Sequence, residues 1–169
     1  MRDIKGEIRK MKLVGIFLIG ISALVFSRER IKRREGRLML LEEMLGFIEC
    51  MRIEIGCYLR PISKISESYF SEPLLKIGFF DSVKKDGLYR AYLDSEIHLL
   101  PTEQEKKLLR HFFSTVGKGY IQDELKLIET TADELSELLK AERAAMPKER
   151  KITLTLSGAL SFAVIILLI

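Results

Sequence analysis

The feature that most restricts the fold of this chain is a pair of apolar segments, one near each end of the sequence. Residues 152–169 contain no ionisable side chain. As an α-helix they would span about 27 Å, close to the roughly 30 Å hydrocarbon core of a bilayer. Residues 13–26 are also apolar but shorter, and Ser27 extends them. The two segments predict transmembrane helices over residues 13–27 and 152–169, with the remaining chain folding between two anchors.

A secretory signal peptide is the alternative interpretation of the first segment, because basic residues precede it. The triplet VFS at residues 25–27 is the only plausible cleavage site, and it lacks the small residues typical of such sites. Arg28 follows directly and makes cleavage less favourable. The pattern therefore favours a retained membrane helix.

The second apolar segment carries a small-xxx-small pair, Ala159 and Ala163. Such a pair lets two membrane helices approach closely, so it predicts a helix–helix contact. The alternative is that single alanines simply occur within a membrane helix.

The basic residues cluster beside the apolar segments. Residues 1–12 carry five Lys/Arg against two acids, residues 28–37 carry six against two, and residues 148–151 carry three against one. Residues 38–147 hold fourteen basic and nineteen acidic residues, a net charge of −5. This distribution fits membrane flanks better than a nucleic-acid surface. Two of the three clusters adjoin the central segment, so the positive-inside rule places that segment in the cytoplasm.

The predicted organisation is therefore a central domain tethered to the cell membrane at both ends. Its segments are a basic N-terminal tail (1–12), a transmembrane helix (13–27), a basic membrane-flanking linker (28–37), a helical cytoplasmic domain (38–147), a basic flank (148–151) and a second transmembrane helix (152–169).

Helical periodicity dominates the start of the central domain. Between residues 36 and 61 the apolar side chains share one broad arc when projected at about 100° per residue. The arc comprises Leu40, Leu41, Met44, Leu45, Phe47, Ile48, Met51, Ile55, Tyr58 and Leu59. The opposite side carries Glu42, Glu43, Gly46, Glu49 and Glu54. The pattern predicts an amphipathic helix that ends at Pro61, or with Pro61 opening the next helix.

Five further helices complete the predicted bundle. Two short ones cover residues 62–70 and 74–80, and a third follows the turn at Asp86-Gly87 and ends at residue 99 or 100. The next begins at a capping box formed by Thr102 and Glu105. After Gly117 and Gly119, a long helix runs from about residue 120 to 145, and Pro147 predicts a bend before the membrane helix. No segment alternates like a strand, so the sequence predicts an all-α bundle of about six helices.

The sequence contains no convincing catalytic or metal-binding motif. The stretch VGKGY at residues 116–120 lacks the earlier glycine and the Ser/Thr of a phosphate-binding loop, so it predicts a turn between helices. His98 and His111 lack metal-ligand spacing. Cys50 and Cys57 lie seven residues apart on one helix, about 10 Å, too far for a disulfide. We therefore predict reduced cysteines, no catalytic residues, no cofactor and no metal.

Binding to other proteins is then the expected activity. Glu42, Glu49 and Glu54, on the polar side of the first long helix, are the predicted partner-binding residues, whereas Glu43 could instead be buried at a helix contact. A second acidic stretch, residues 129–142, has like charges four residues apart, which predicts either a soluble face or a basic partner.

Three stretches resemble the stage III sporulation protein AB family. The ending KITLTLSGALSFAVIILLI is similar to that family's closing apolar helix. FIECMRIEIGCYLRPISKI resembles its helix before a proline, and LLRHFFSTVGKGYIQDELKLIE resembles its helix–glycine–helix segment. These stretches follow a short N-terminal membrane helix and a basic cluster in the family's order, and the resemblance covers nearly the whole chain.

The resemblance implies a fold like the cytoplasmic helical domain of type II secretion and type IV pilus platform proteins. It implies a location in the mother-cell membrane facing the forespore, within a channel complex joining the two cells. The implied partners are the cognate secretion-type ATPase, other membrane components of the channel and membrane lipid, with no nucleic acid, and a homo-oligomer is left open. The alternatives are a membrane-anchored regulatory adaptor for another soluble protein, and an enzyme with an unfamiliar helical site.

Overall fold

A computed structural model describes residues 2–168, apart from the side chains of residues 2–14, 16–20, 23–24, 149–150, 153–154, 156–157 and 160–168. Within this described part the chain forms seven α-helices and no strand, which confirms the predicted all-α class. The helices are α1 (Arg2–Tyr58), α2 (Ile62–Ser68), α3 (Glu72–Lys76), α4 (Phe79–Asp86), α5 (Leu88–Leu99), α6 (Glu103–Thr115) and α7 (Ile121–Leu168).

The chain divides into two compact units. Residues 35–142 form one unit, which we call the helical domain; it contains α2 to α6, the C-terminal part of α1 and the N-terminal part of α7. Residues 1–34 and 143–169 form the other.

Both predicted transmembrane helices lie mostly on residues whose side chains are outside the described part of the chain. Residues 13–27 belong to α1, and residues 152–168 belong to α7. Among the residues that could be searched, no helix offers an apolar stretch long enough to cross a bilayer. The helical bundle is therefore confirmed, and the flanking membrane helices stay a prediction.

Three helix boundaries differ from the sequence prediction. The segment 74–80 is not one helix, because Gly78 adopts φ +75° and separates α3 from α4. Residues 28–37, predicted as a linker, lie within α1. α7 runs through Pro147 instead of ending near residue 145. A proline removes only one backbone donor, so helical segments on both sides can maintain the helix across it.

The core of the helical domain is built on the apolar face of α1. Its most deeply buried α1 side chains are Leu41, Met44, Phe47, Ile48 and Met51. The ring of Phe47 packs against those of Tyr69, Phe79 and Phe80, with centroids 5.3 to 5.7 Å apart. Burying an aromatic or aliphatic side chain of this size contributes about 1.5–3 kcal/mol. These contacts hold α4 and the residue that follows α2 against one side of α1.

The side chain of Tyr69 also lies against the predicted polar side of α1. Its hydroxyl donates a hydrogen bond to the backbone oxygen of Glu43 at 3.5 Å. A Cβ at Gly46 would lie 2.8 Å from the same hydroxyl, so the tyrosine fits only because residue 46 has no side chain. Burial raises the pKa of Tyr69. Part of the side of α1 that was expected to face solvent is therefore covered by Tyr69.

Candidate partner-binding surface

Arg37 connects α1 to two other helices at one end of the helical domain. Its Nη1 donates to both carboxylate oxygens of Glu142, at 2.6 and 2.7 Å, and its Nη2 donates to Glu105. Its Nε donates to the backbone oxygen of Leu100 at 2.8 Å. Burial alone would lower the pKa of Arg37, but the hydrogen bond and charge of Glu142 and the charge of Glu105 raise it. We call Arg37, Glu105 and Glu142 the Arg37 cluster.

Glu105 also completes the N-terminal cap of α6. Its carboxylate accepts the backbone N–H of Thr102 at 2.6 Å, and its own N–H donates to the Thr102 hydroxyl at 3.4 Å. This confirms the predicted capping box. One buried carboxylate therefore fixes the start of α6 and its position beside α1.

The other end of the helical domain is formed where α1 ends and α7 begins. A Cβ at Gly56 would lie 3.3 Å from the side chain of Leu125, and a Cβ at Gly117 would lie 3.2 Å from that of Ile62. Since Arg37 binds Glu142 and Gly56 meets Leu125, α1 and α7 run antiparallel across the domain. Residues 116–120 form the predicted turn between α6 and α7.

Four large apolar side chains are exposed at this end, and we call them the apolar corner. Tyr58 and Leu59 lie at the end of α1, with 67% and 68% of their surface exposed. Tyr120 and Ile121 lie at the start of α7, with 85% and 50% exposed. The prediction that Tyr58 and Leu59 belong to the buried face of α1 was wrong. α1 ends at Tyr58, so its last side chains extend beyond the helices that cover its middle.

Leu59 has an unfavourable backbone conformation in addition to its exposure. It adopts φ +52°, and its N–H donates to the oxygen of Ile55 at 3.2 Å, the αL type of helix ending that normally uses glycine. A left-handed conformation costs a non-glycine residue about 1–2 kcal/mol.

The predicted acidic residues lie along α1 between the two ends. Glu49 is exposed, whereas Glu42 and Glu54 are half-buried. A carboxylate oxygen of Glu54 lies 3.1 Å from Nη1 of Arg60, which places this ion pair next to Leu59 in the chain. Contact between these residues and a partner stays a prediction.

The cysteines and histidines are the remaining side chains with nucleophilic or metal-binding chemistry. Cys50 and Cys57 are free, and burial raises the pKa of Cys50. His98 and His111 are both exposed. In the part of the chain that could be searched, no group of three or more potential metal ligands occurs.

A second polar network joins α5 to α6. Arg110 donates two hydrogen bonds to the Glu96 carboxylate, at 2.8 and 2.6 Å, and the hydroxyl of Tyr92 donates to it at 3.4 Å. The hydrogen bond from Arg110 is the main reason why the pKa of Glu96 is lowered. Burial raises the pKa of Tyr92. This network stabilises the domain and lies outside the apolar corner.

Sequence reasoning missed the apolar corner, although a signal for it was present. Pro61 and the glycines at 117 and 119 mark the places where the chain turns. Apolar residues next to such turns lie at helix ends, where fewer neighbouring helices can cover them.

Of the predicted membrane contact pair, Ala159 is exposed, and Ala163 lies outside the residues with described side chains.

Comparison with known proteins adds no relative. No family model, curated protein sequence or solved structure matches this chain.

Proposed function

We propose that this protein is a non-enzymatic inner-membrane platform of a secretion-like channel complex in sporulation. In this proposal, membrane helices over residues 13–27 and 152–169 hold the helical domain at the cytoplasmic face of the mother-cell membrane, facing the forespore. The domain binds a cytoplasmic secretion-type ATPase and couples it to the assembly between the two cells. The resemblance of the sequence to stage III sporulation protein AB supports this assignment.

The observation that carries the proposal is the apolar corner. Its four side chains are exposed where α1 ends and α7 begins, and one of them has a positive φ. Exposed aromatic and aliphatic residues of this kind serve as anchors when a protein partner covers them. The proposed contact surface for the ATPase is therefore the end of the domain formed by Tyr58, Leu59, Tyr120 and Ile121.

The variant Leu59→Gly tests this surface with a protein that is expected to remain folded. Glycine relieves about 1–2 kcal/mol of left-handed strain. It also loses roughly 1 kcal/mol through backbone freedom and some residual burial. We therefore expect the free energy of unfolding to change by only about 1 kcal/mol. Binding of the purified ATPase to the full-length protein in detergent should fall at least about tenfold, as expected for loss of an interface anchor.

Leu100→Gly is the matched control, because Leu100 is also an exposed leucine with positive φ, 45°. It lies outside the apolar corner, so this variant should keep wild-type affinity. Equal affinity of both variants would reject the apolar corner as the contact surface. Absence of ATPase binding by the wild-type protein would reject the coupling role.

Reporter fusions after residues 60 and 120 test the membrane arrangement. Cytoplasmic signals at both positions are expected, because a cytoplasmic ATPase requires a cytoplasmic domain. External signals would contradict the platform. Crosslinking in native membranes should recover the ATPase, and capture of a different soluble protein in its place would favour a regulatory adaptor.

A further inference from the structure

We infer that a group of exposed basic residues on α1 binds the head groups of anionic phospholipids. The group consists of Arg28, Arg30, Lys32 and Arg33, all exposed, and we call it the basic collar. The inference rests on the membrane attachment in the proposed function, and it adds the class of lipid that the protein contacts.

The basic collar spreads over more than half of the helix circumference instead of forming a narrow stripe. At about 100° per residue, the four residues point at angles of roughly 0°, 200°, 40° and 140° around the axis of α1. A helix that lies on a membrane surface carries its bases on one face, opposite an apolar face. Bases spread over an arc of about 200° suit a helix whose exposed side is in contact with head groups. From Arg28 to Arg33 the helix rises about 7.5 Å, similar to the depth of one head-group layer.

The charges of the basic collar are largely available to an external anion. Arg33 pairs with Glu29 at 3.3 Å, but both side chains are more than half exposed, so this contact is weak. No ion pair within the described part of the chain engages Arg28, Arg30 or Lys32. Residues 28–33 carry a net charge of +3, from four bases and one acid.

Exposed apolar residues directly precede the basic collar on the same helix. Val25 and Phe26 have 61% and 73% of their surface exposed, and Ile21 is exposed as well. α7 repeats this arrangement, with exposed Ile152 next to exposed Lys151. Apolar side chains followed within one turn by bases match the boundary between acyl chains and anionic head groups. A nucleic acid would match the bases and leave the apolar residues uncovered, so the lipid is the better fit.

Lipid retention by the purified full-length protein tests this inference. The detergent-solubilised protein is mixed with equal amounts of phosphatidylglycerol and phosphatidylcholine, and the retained lipids are counted by native mass spectrometry. The collar variant R28Q/R30Q/K32Q/R33Q is compared with the control K84Q/K85Q/R90Q/K107Q, which removes four exposed bases from the helical domain. We expect a preference for phosphatidylglycerol that falls about tenfold or more in the collar variant and persists in the control.

An unchanged preference in the collar variant, or an equal loss in the control, would overturn the inference. So would collar-dependent binding of a short RNA by a protein that does not prefer phosphatidylglycerol. Alkaline extraction of cell membranes separates this inference from the proposed function. A chain released by alkali would contradict membrane anchoring itself. A chain that stays in the membrane without collar-dependent lipid preference would contradict this inference alone.

Discussion

Removing the charge of Arg37 is expected to be the most damaging single substitution in the helical domain. The side chains of Arg37, Glu105 and Glu142 are 11%, 2% and 14% exposed. Arg37→Met keeps much of the side-chain length but removes the guanidinium from the buried carboxylate of Glu105 and the half-buried carboxylate of Glu142. Breaking a buried ion pair in this way costs about 3–5 kcal/mol, and we expect a loss of this size in the free energy of unfolding.

Two companion variants separate charge from geometry. Arg37→Lys keeps the charge, but an ammonium group cannot reproduce the fork that binds Glu142 with two hydrogen bonds while also reaching Glu105 and Leu100. We expect it to cost less than Arg37→Met, roughly 1–3 kcal/mol. The triple variant R37M/E105Q/E142Q also removes the carboxylate charges at positions 105 and 142, so it should recover much of the stability lost in Arg37→Met.

Guanidinium denaturation of the full-length protein in mild detergent, followed by circular dichroism, measures these differences. A loss below about 1 kcal/mol for Arg37→Met would refute the view that the Arg37 cluster is a buried, stabilising network. A triple variant no more stable than Arg37→Met would show that the cost does not come from unpaired carboxylates.

Two further predictions concern Tyr69 and Glu96. Gly46→Ala should destabilise the domain by about 1–2 kcal/mol, because the clash with the Tyr69 hydroxyl outweighs the gain in helix propensity. Gly36→Ala, where the new Cβ meets nothing within 4 Å, should instead stabilise it by about 0.5–1 kcal/mol. In thermal unfolding, Gly46→Ala should be rescued by Tyr69→Phe, and purely additive effects would contradict the clash. Because Arg110 lowers the pKa of Glu96, this carboxylate stabilises the fold above the unfolded value of about 4.3 and loses that contribution as pH falls through the lower folded value. Glu96→Gln should therefore weaken the acid dependence of stability below about pH 5, and an unchanged pH profile would contradict the assignment.

The sequence was sufficient for the parts of the fold that local physics determines. The capping box of Thr102 and Glu105 needs only two residues three positions apart, and it forms as predicted. The buried face of α1 follows from periodicity as far as Ile55. The turn at residues 116–120 also agrees with the prediction.

Contacts between distant residues could not be predicted in this way. The local sequence groups Arg37 with the membrane-flanking bases, because nothing near it distinguishes it from its neighbours. Its partner Glu142 lies 105 residues away in the sequence. Periodicity places Gly46 on a solvent-facing side, because the residue that covers it, Tyr69, follows α2 and is distant in the sequence. Periodicity describes one helix, whereas the apolar corner depends on where the other helices end.

The double role of Glu105 has a consequence for local motion in the domain. The first turn of a helix normally frays, because its backbone N–H groups have no partner within the helix. Here the carboxylate that caps α6 is also bound to Arg37 of α1, and Arg37 is bound in turn to α7. Opening the start of α6 therefore disturbs the contacts of both long helices. We therefore expect the N-terminus of α6 to open together with α1 and α7, so that its amide hydrogens exchange with solvent at rates similar to those of the two long helices.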